Sequence, residues 1–169
     1  MPDHAGLRPT PDRVRETLFN WLGQDLGGWR CVDAFAGTGA LGWEAASRGA
    51  ARVVMLEQSA ELIQRLQATQ TQLQASTVAI QRGDALAWLA RQMPASADLV
   101  FLDPPFDAPV FEDALRAARK ILREGGWIYL EAPHRWDAPA LAELGLQEHR
   151  YMKAGAVHAH LLQVMENEA

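Results

Sequence analysis

Four acidic residues close four successive strand-like runs: Asp33 in "RCVD", Glu57 in "ARVVMLE", Asp84 in "STVAIQRGD" and Asp103 in "ADLVFLD". If these runs are parallel strands of one sheet, the four carboxylates share one rim, a register that helix capping alone does not require. The last of them opens "DPPF", Asp103 to Phe106, and this loop suggests a particular chemistry. An exocyclic amine on a base or an amide is a poor nucleophile because its lone pair is delocalised. Two acceptors placed on its two N–H bonds hold the nitrogen tetrahedral and turn the lone pair outward. Asp103 offers one acceptor and the Pro104 carbonyl the other, while Pro104 and Pro105 fix backbone torsions and withhold competing N–H donors. Phe106 can then stack on a flat base, a contact worth about 1–3 kcal/mol. Taken alone, the tetrapeptide reads equally well as a stiff turn with Phe106 folded back on the core.

The first carboxylate precedes "AFAGTGALG", in which Gly37, Gly39 and Gly42 match G-x-G-x-x-G, with Glu57 twenty residues beyond Gly37. That spacing also fits a dinucleotide. Asp33 weighs against it, since two like charges about 6 Å apart repel by roughly 3 kcal/mol at an effective dielectric near 20. S-adenosylmethionine carries no phosphate and brings an ammonium and a sulfonium, which suit an acidic strand end beside close glycine backbone. Glu57 can accept from two ribose hydroxyls of either ligand. Asp84 can accept from an adenine amino group, or simply cap the helix that follows it.

The elements that must position these residues alternate. "TPDRVRETLFNWL" reads as an amphipathic helix with Thr10 as N-cap and Pro11 at the first helical position. "RCVDAFA" is a buried strand, and the glycine turn leads into a helix that stops at Gly49. "ARVVMLE" is a second strand, "SAELIQRLQATQTQLQA" a helix with Ser59 as N-cap, and "STVAIQRGD" a third strand. "ALAWLARQM" is a short helix, "ADLVFL" a fourth strand, "VFEDALRAARKILREGG" a helix closed by Gly125, and "WIYLEA" a fifth strand. From Leu144 onward two extended runs around Gly155 read as a hairpin that completes one sheet edge. Such alternation predicts an α/β fold with a mostly parallel sheet covered on both faces.

Length and composition agree. The chain has 169 residues, 49% of them hydrophobic and 22% charged, as in an ordinary globular domain. A single domain over residues 1–169 is expected, with 1–25 as an N-terminal cap-helix region and 29–167 as the catalytic core. The only cysteine, Cys31, allows no internal disulfide, and no apolar stretch reaches membrane-spanning length; a cytoplasmic protein without membrane contact is expected. The net charge is −5, against the usual balance of nucleic-acid modules, yet 14 of the 16 basic residues are arginine, whose planar fork suits phosphate.

Together "DAFAGTG", "LE" at the second strand, "GDA" and "DPPF" resemble the class I S-adenosylmethionine-dependent methyltransferases that modify amino groups. More narrowly, "LRPTPDRVRETLFNWL" followed by "VDAFAGTGALGWEAASRGA" resembles the RsmD family of 16S ribosomal RNA guanine-N2 methyltransferases. The resemblance implies a Rossmann-like, seven-stranded sheet with an antiparallel last strand. It implies that S-adenosylmethionine, released as S-adenosylhomocysteine, is held by Asp33, Gly37, Gly39, Glu57 and Asp84, with Phe35, Ala36, Thr38, Gln58 and Ala85 beside them in the same motifs. Asp103, Pro104, Pro105 and Phe106 are then catalytic. Arg8 and Thr10 match a segment at the active-site mouth, and Arg8, Thr10, Arg13, Arg15 and Phe106 are expected to meet the substrate. The implied partner is 16S rRNA within the 30S subunit or its assembly intermediate, and the implied state a monomer. The family carries a basic, glycine-containing segment ahead of "LRPTPDR", where this chain has "MPDHAG".

Other residues take plainer readings. Arg116, Arg119, Lys120 and Arg123 recur at helical spacing, as a solvated basic stripe with acidic partners. His149, His158 and His160 lack the further ligands a metal site needs, so no metal is expected. Trp43 and Trp88 fall at apolar helical positions. Three other activities compete: methylation of DNA adenine or of a protein amide, a nicotinamide-dependent oxidoreductase on the glycine turn, and cofactor binding without catalysis.

Overall fold

The computed structural model describes residues 11–166. Helix α1 (Asp12–Trp21) is followed by β1 (Arg30–Asp33), α2 (Ala40–Ser47), β2 (Arg52–Glu57), α3 (Ala60–Leu73), β3 (Val78–Arg82), α4 (Ala85–Ala90) and β4 (Ala97–Leu102). Then come α5 (Phe111–Ile121), β5 (Leu122–Ala132), α6 (Ala138–Glu143), β6 (Leu146–Ala154) and β7 (Val157–Val164). The seven strands form one sheet in the order β3-β2-β1-β4-β5-β7-β6. The first five are parallel, and β7 runs antiparallel between β5 and β6. This is the expected α/β architecture, including the hairpin at one edge. The connection order reverses between β1 and β4, and ligands in open sheets of this kind bind at that crevice.

Alternation along the strands divides the core between two faces. Cys31, Val53, Met55, Leu99, Phe101, Tyr129 and Leu161 face α1, α2 and α3, where Val14, Leu18, Phe19, Leu41, Ala45 and Leu66 cover them. Val32, Val54, Leu56, Val100, Leu102, Ile128, Leu130 and Leu162 face α4, α5 and α6. Phe19 of α1 lies 6.1 Å from Phe101, which in turn meets Tyr129 edge-on at 6.4 Å, so α1 is seated over the middle of the sheet. The hairpin strand β6 carries one irregularity: Glu148 pairs with Leu162 and Arg150 with Leu161, leaving His149 as the extra residue.

Several boundaries differ from the expectation. Pro11 occupies the N-cap of α1 with extended torsions rather than the first helical position, and Thr10 lies outside the described residues. Helix α5 stops at Ile121, four residues short of Gly125. The reason is tertiary: the Ser96 N–H donates to the Ile121 carbonyl at 2.8 Å, Leu122 pairs with Ala97, and Arg123 turns to Asp98. Arg123 thus leaves the basic stripe, and Arg116 pairs with Glu112 at 2.8 Å. The Asp98 carboxylate, nearly buried, takes Arg30 on both oxygens (Nε–Oδ2 3.1 Å, Nη2–Oδ1 3.2 Å) and Arg123 on one of them (Nε–Oδ1 2.7 Å). These hydrogen bonds hold its pKa below the usual carboxylate value in spite of burial. The triad ties β1, β4 and β5 together at the amino end of the sheet, opposite the rim where the chemistry is expected.

Candidate active site

The carboxyl rim is where the sequence motifs meet. Asp33 ends β1 and Glu57 ends β2, while Asp84 lies just past β3 and Asp103 just past β4, so the four run in the spatial order Asp84, Glu57, Asp33, Asp103. Asp33, Glu57 and Asp103 continue the same alternation as Cys31, Met55 and Phe101, which places them on the face covered by α1, α2 and α3.

The glycine turn is built around two of these carboxylates. Helix α2 begins at Gly39, which sits at φ +82 and has no side chain to cap the helix. Asp33 supplies the missing acceptor from outside: its Oδ2 takes the Gly42 N–H at 3.0 Å. Glu57 closes the other end of the turn, with Oε1 accepting the Gly37 N–H at 3.1 Å and Oε2 the Ser59 N–H at 2.8 Å. Space excludes a side chain at Gly39 and is tight at Gly42. A Cβ on Gly39 would meet Trp43 Nε1 at 2.5 Å and Leu66 Cδ2 at 2.8 Å, and one on Gly42 would meet Met55 Cε at 2.6 Å.

Asp33 ends β1 with its carboxylate tucked under the glycine turn. It is 2% exposed, and burial pushes its pKa up to about 7, against the Gly42 hydrogen bond that lowers it, with Glu57 and Glu131 adding to the rise. It therefore braces the turn from behind.

Asp84 does what its simpler reading required. Its Oδ2 accepts from Ala87 N–H at 2.8 Å and caps α4, while Oδ1 accepts from Gln58 Nε2 at 3.1 Å, linking the ends of β2 and β3. Phe35 is half-buried against the α4–α5 face, Ala36 and Ala85 are buried, and Thr38 is half-buried in the turn.

In the reactive loop Asp103 is half-buried, Pro104 buried and Pro105 exposed, and the Ala108 N–H donates to the Pro105 carbonyl at 3.1 Å to close the turn. Phe106 is half-buried and packs against the α4–α5 face.

One residue of the rim went unread. Glu131, near the end of β5, is fully buried, accepts a hydrogen bond from Tyr129 OH at 2.8 Å, and sits one strand across from Asp103, since Leu102 pairs with Leu130. A glutamate in the apolar run "WIYLEA" was its only trace in the sequence.

Of the expected substrate contacts, Arg8 and Thr10 lie outside the described residues. Arg13 is exposed on α1, and Arg15 is engaged by Asp12 at 3.1 Å and Glu44 at 3.8 Å. His160 is buried and His149 is exposed beside Trp127; among the described residues no group of acidic, histidine or cysteine side chains could hold a metal ion. Among the described residues no helix is long and apolar enough to cross a membrane.

A family model described as "Conserved hypothetical protein 95" matches residues 1–163. The chain belongs to this family. The resemblance to RsmD proteins carried by "LRPTPDR", the glycine turn and "DPPF" is thereby borne out, for the family's curated relatives bear that name. Ribosomal RNA small subunit methyltransferase D of Escherichia coli K12 is 41% identical over 132 residues, 78% of this chain and 64% of that protein. The Haemophilus influenzae protein of the same name is 40% identical over 126 residues, 73% of this chain and 63% of that one. The chain thus spans a little under two thirds of the length of these relatives. Among solved structures, the Escherichia coli protein yhhF, described as a candidate methyltransferase, superposes with a TM-score of 0.83 at 36% identity, covering 96% of this chain and 90% of that one.

Proposed function

We propose that the protein transfers a methyl group from S-adenosylmethionine to the exocyclic N2 amine of a guanine in 16S rRNA. The observation that carries this reading is the position of Asp103: it stands directly past β4, at the switch point, one strand from the Asp33-braced glycine turn and followed by a buried proline. The relatives named as small-subunit rRNA methyltransferases support the substrate class.

The residues suit this cofactor. Two N–H groups of the turn that a pyrophosphate would use, those of Gly37 and Gly42, are already taken by Glu57 and Asp33. A rim of four carboxylates favours a cationic ligand, and the charge of that ligand favours the ionised form of Asp33. Asp33, Gly37, Gly39 and Glu57 would hold the ammonium, sulfonium and ribose end, and Gln58, Asp84 and Ala85 the adenine end, with Phe35, Ala36 and Thr38 lining the turn. Bound there, the cofactor supplies an electrophilic methyl carbon.

The chain does the rest by positioning. The Asp103 carboxylate and the Pro104 carbonyl accept the two N–H bonds of the amine and direct its lone pair along the line of transfer. On accepting the methyl group the amine would shed one proton, and Asp103 would be the acceptor beside it. Pro105 holds the loop closed, and the outer face of Phe106 stacks on the base. Arg8, Thr10, Arg13 and Arg15 belong to the mouth through which RNA arrives. The protein acts as a cytoplasmic monomer on 16S rRNA in the 30S subunit or its assembly intermediate.

The test is methylation of 30S subunits from a strain lacking this gene, with mass-spectrometric mapping of the modified base. Asp103→Ala is expected to lower kcat by at least about a hundredfold while binding of S-adenosylmethionine persists. Undiminished turnover in that variant would remove Asp103 from the chemistry.

A further inference from the structure

The rim carries a second cluster that the site above does not use. Strand β5 ends at Ala132 beside His158, and His158 pairs with Lys153 near the end of β6, so the hairpin turn at Gly155 rises on the same rim as Asp103. Three strand spacings of about 4.8 Å put it roughly 14 Å from the reactive loop.

Just past β5, the Arg135 guanidinium lies 4.0 Å above the Tyr151 ring. Glu148 fixes its plane through Nε (3.3 Å) and Nη2 (2.7 Å), leaving Nη1 for another acceptor. Tyr151 is held in turn: its hydroxyl meets His158 Nδ1 at 2.6 Å, and its ring stands edge-on to His160 at 5.3 Å. His160 is buried, accepts the Trp136 N–H on Nε2 at 3.1 Å and directs Nδ1 to the Leu130 carbonyl at 3.3 Å, so Nδ1 carries the proton. The stack is therefore anchored in the core, while the Arg135 side chain is 54% exposed and Lys153 and His134 are exposed beside it. The concentration of cations is felt locally: burial lowers the pKa of His158, and Lys153, His134 and Arg135 lower it further.

We propose that Arg135 on Tyr151, with Lys153 beside them, is a platform that stacks a base and holds a phosphate of the RNA strand a few nucleotides from the target. The proposal rests on the RNA reading of the site. A guanidinium whose inner face is covered by tyrosine and whose edge is chelated by a carboxylate offers its outer face to a second π system, and unstacked RNA bases are held on such planes. In a chain of net charge −5 with Glu148 at its centre, the cluster holds by shape more than by charge.

Fluorescence anisotropy with a 16S rRNA fragment tests it, alongside calorimetry with S-adenosylmethionine and thermal melting. Arg135→Lys keeps the charge and loses the plane; about a tenfold loss of RNA affinity is expected, with cofactor affinity and Tm unchanged. Lys153→Ala should flatten the dependence of log affinity on log salt by about 0.7. Arg52→Ala, at the opposite end of the sheet, serves as the control. RNA affinity within twofold of the wild type in both rim variants overturns the platform. Wild-type protein that binds the fragment but methylates no 30S subunits from a strain lacking the gene overturns the proposed reaction and leaves the platform standing, whereas wild-type protein that binds neither the fragment nor those subunits overturns both.

Discussion

Asp33→Asn isolates the energetic consequence of burying a carboxylate behind the glycine turn. The amide oxygen can still accept the Gly42 N–H, so the brace survives while the charge is lost. In the wild type the folded-state pKa is about 7, against 3.8 for the free side chain. An acid whose pKa is raised by folding contributes stability that is full below the unfolded value and is lost as pH rises through the folded one. Each pH unit between those limits costs about 1.4 kcal/mol, so the loss reaches roughly 4 kcal/mol at pH 8 relative to pH 4. Between pH 5 and pH 8 the variant should therefore gain on the wild type by about 3 kcal/mol. Comparing the two proteins is essential, because His160 works in the opposite sense. Burial lowers its pKa to about 4, and the folded state loses stability as pH falls from 6.5 towards that value. Urea unfolding of both proteins at pH 5, 6, 7 and 8, without cofactor, measures the difference. Parallel pH profiles would show that Asp33 is ionised throughout and would refute the account of its burial. With S-adenosylmethionine present, the wild type should regain more stability at high pH than the variant does.

Gly39→Ala should fail twice over, from its φ of +82 and from the 2.5 Å approach of the new Cβ to Trp43 Nε1; a loss of about 2 kcal/mol or more is expected in chemical denaturation, with cofactor affinity reduced in calorimetry. Asp98→Ala leaves Arg30 and Arg123 without their shared acceptor at the amino end of the sheet. Because both arginines are more than 40% exposed and rehydrate, the expected cost is only about 1–2 kcal/mol, and the wild-type advantage should fade in acid as Asp98 is protonated.

The rim of Asp33, Glu57, Asp84 and Asp103 was legible because strand alternation and parallel order are local patterns, and each carboxylate interrupts an apolar run at its end. Glu131 interrupts one too, in register with Asp103, but it stands inside its strand, one residue before the end, where an apolar run gives no sign of a rim. The end of α5 was misread for a different reason. Helical periodicity continues through Arg123, and Gly125 looks like a helix stop; what ends the helix is Ser96 and Asp98, about 25 residues away in the chain. The capping role of Asp84 and the brace formed by Asp33 were not separable from cofactor contacts by residue type, since an oxygen acceptor at a strand end serves both. Arg135, Glu148, Tyr151 and Lys153 meet only through hairpin register, which sequence spacing does not reveal.

Along a regular strand, residues three apart point to opposite sides, so Glu148 and Tyr151 should not share a neighbour. The extra residue His149 changes the parity: Glu148 and Tyr151 both align with residues of β7 that face α5 and α6, Leu162 and His160. Arg135 can then be gripped by one and covered by the other. Deleting His149 would leave each side chain intact and yet separate them across the sheet, turning the outer half of β6 inside out relative to its rim half. A single unpaired residue thus acts as a phase shifter, letting one short strand serve one core through Leu146 at one end and the core on the opposite face through Met152 and Ala154 at the other.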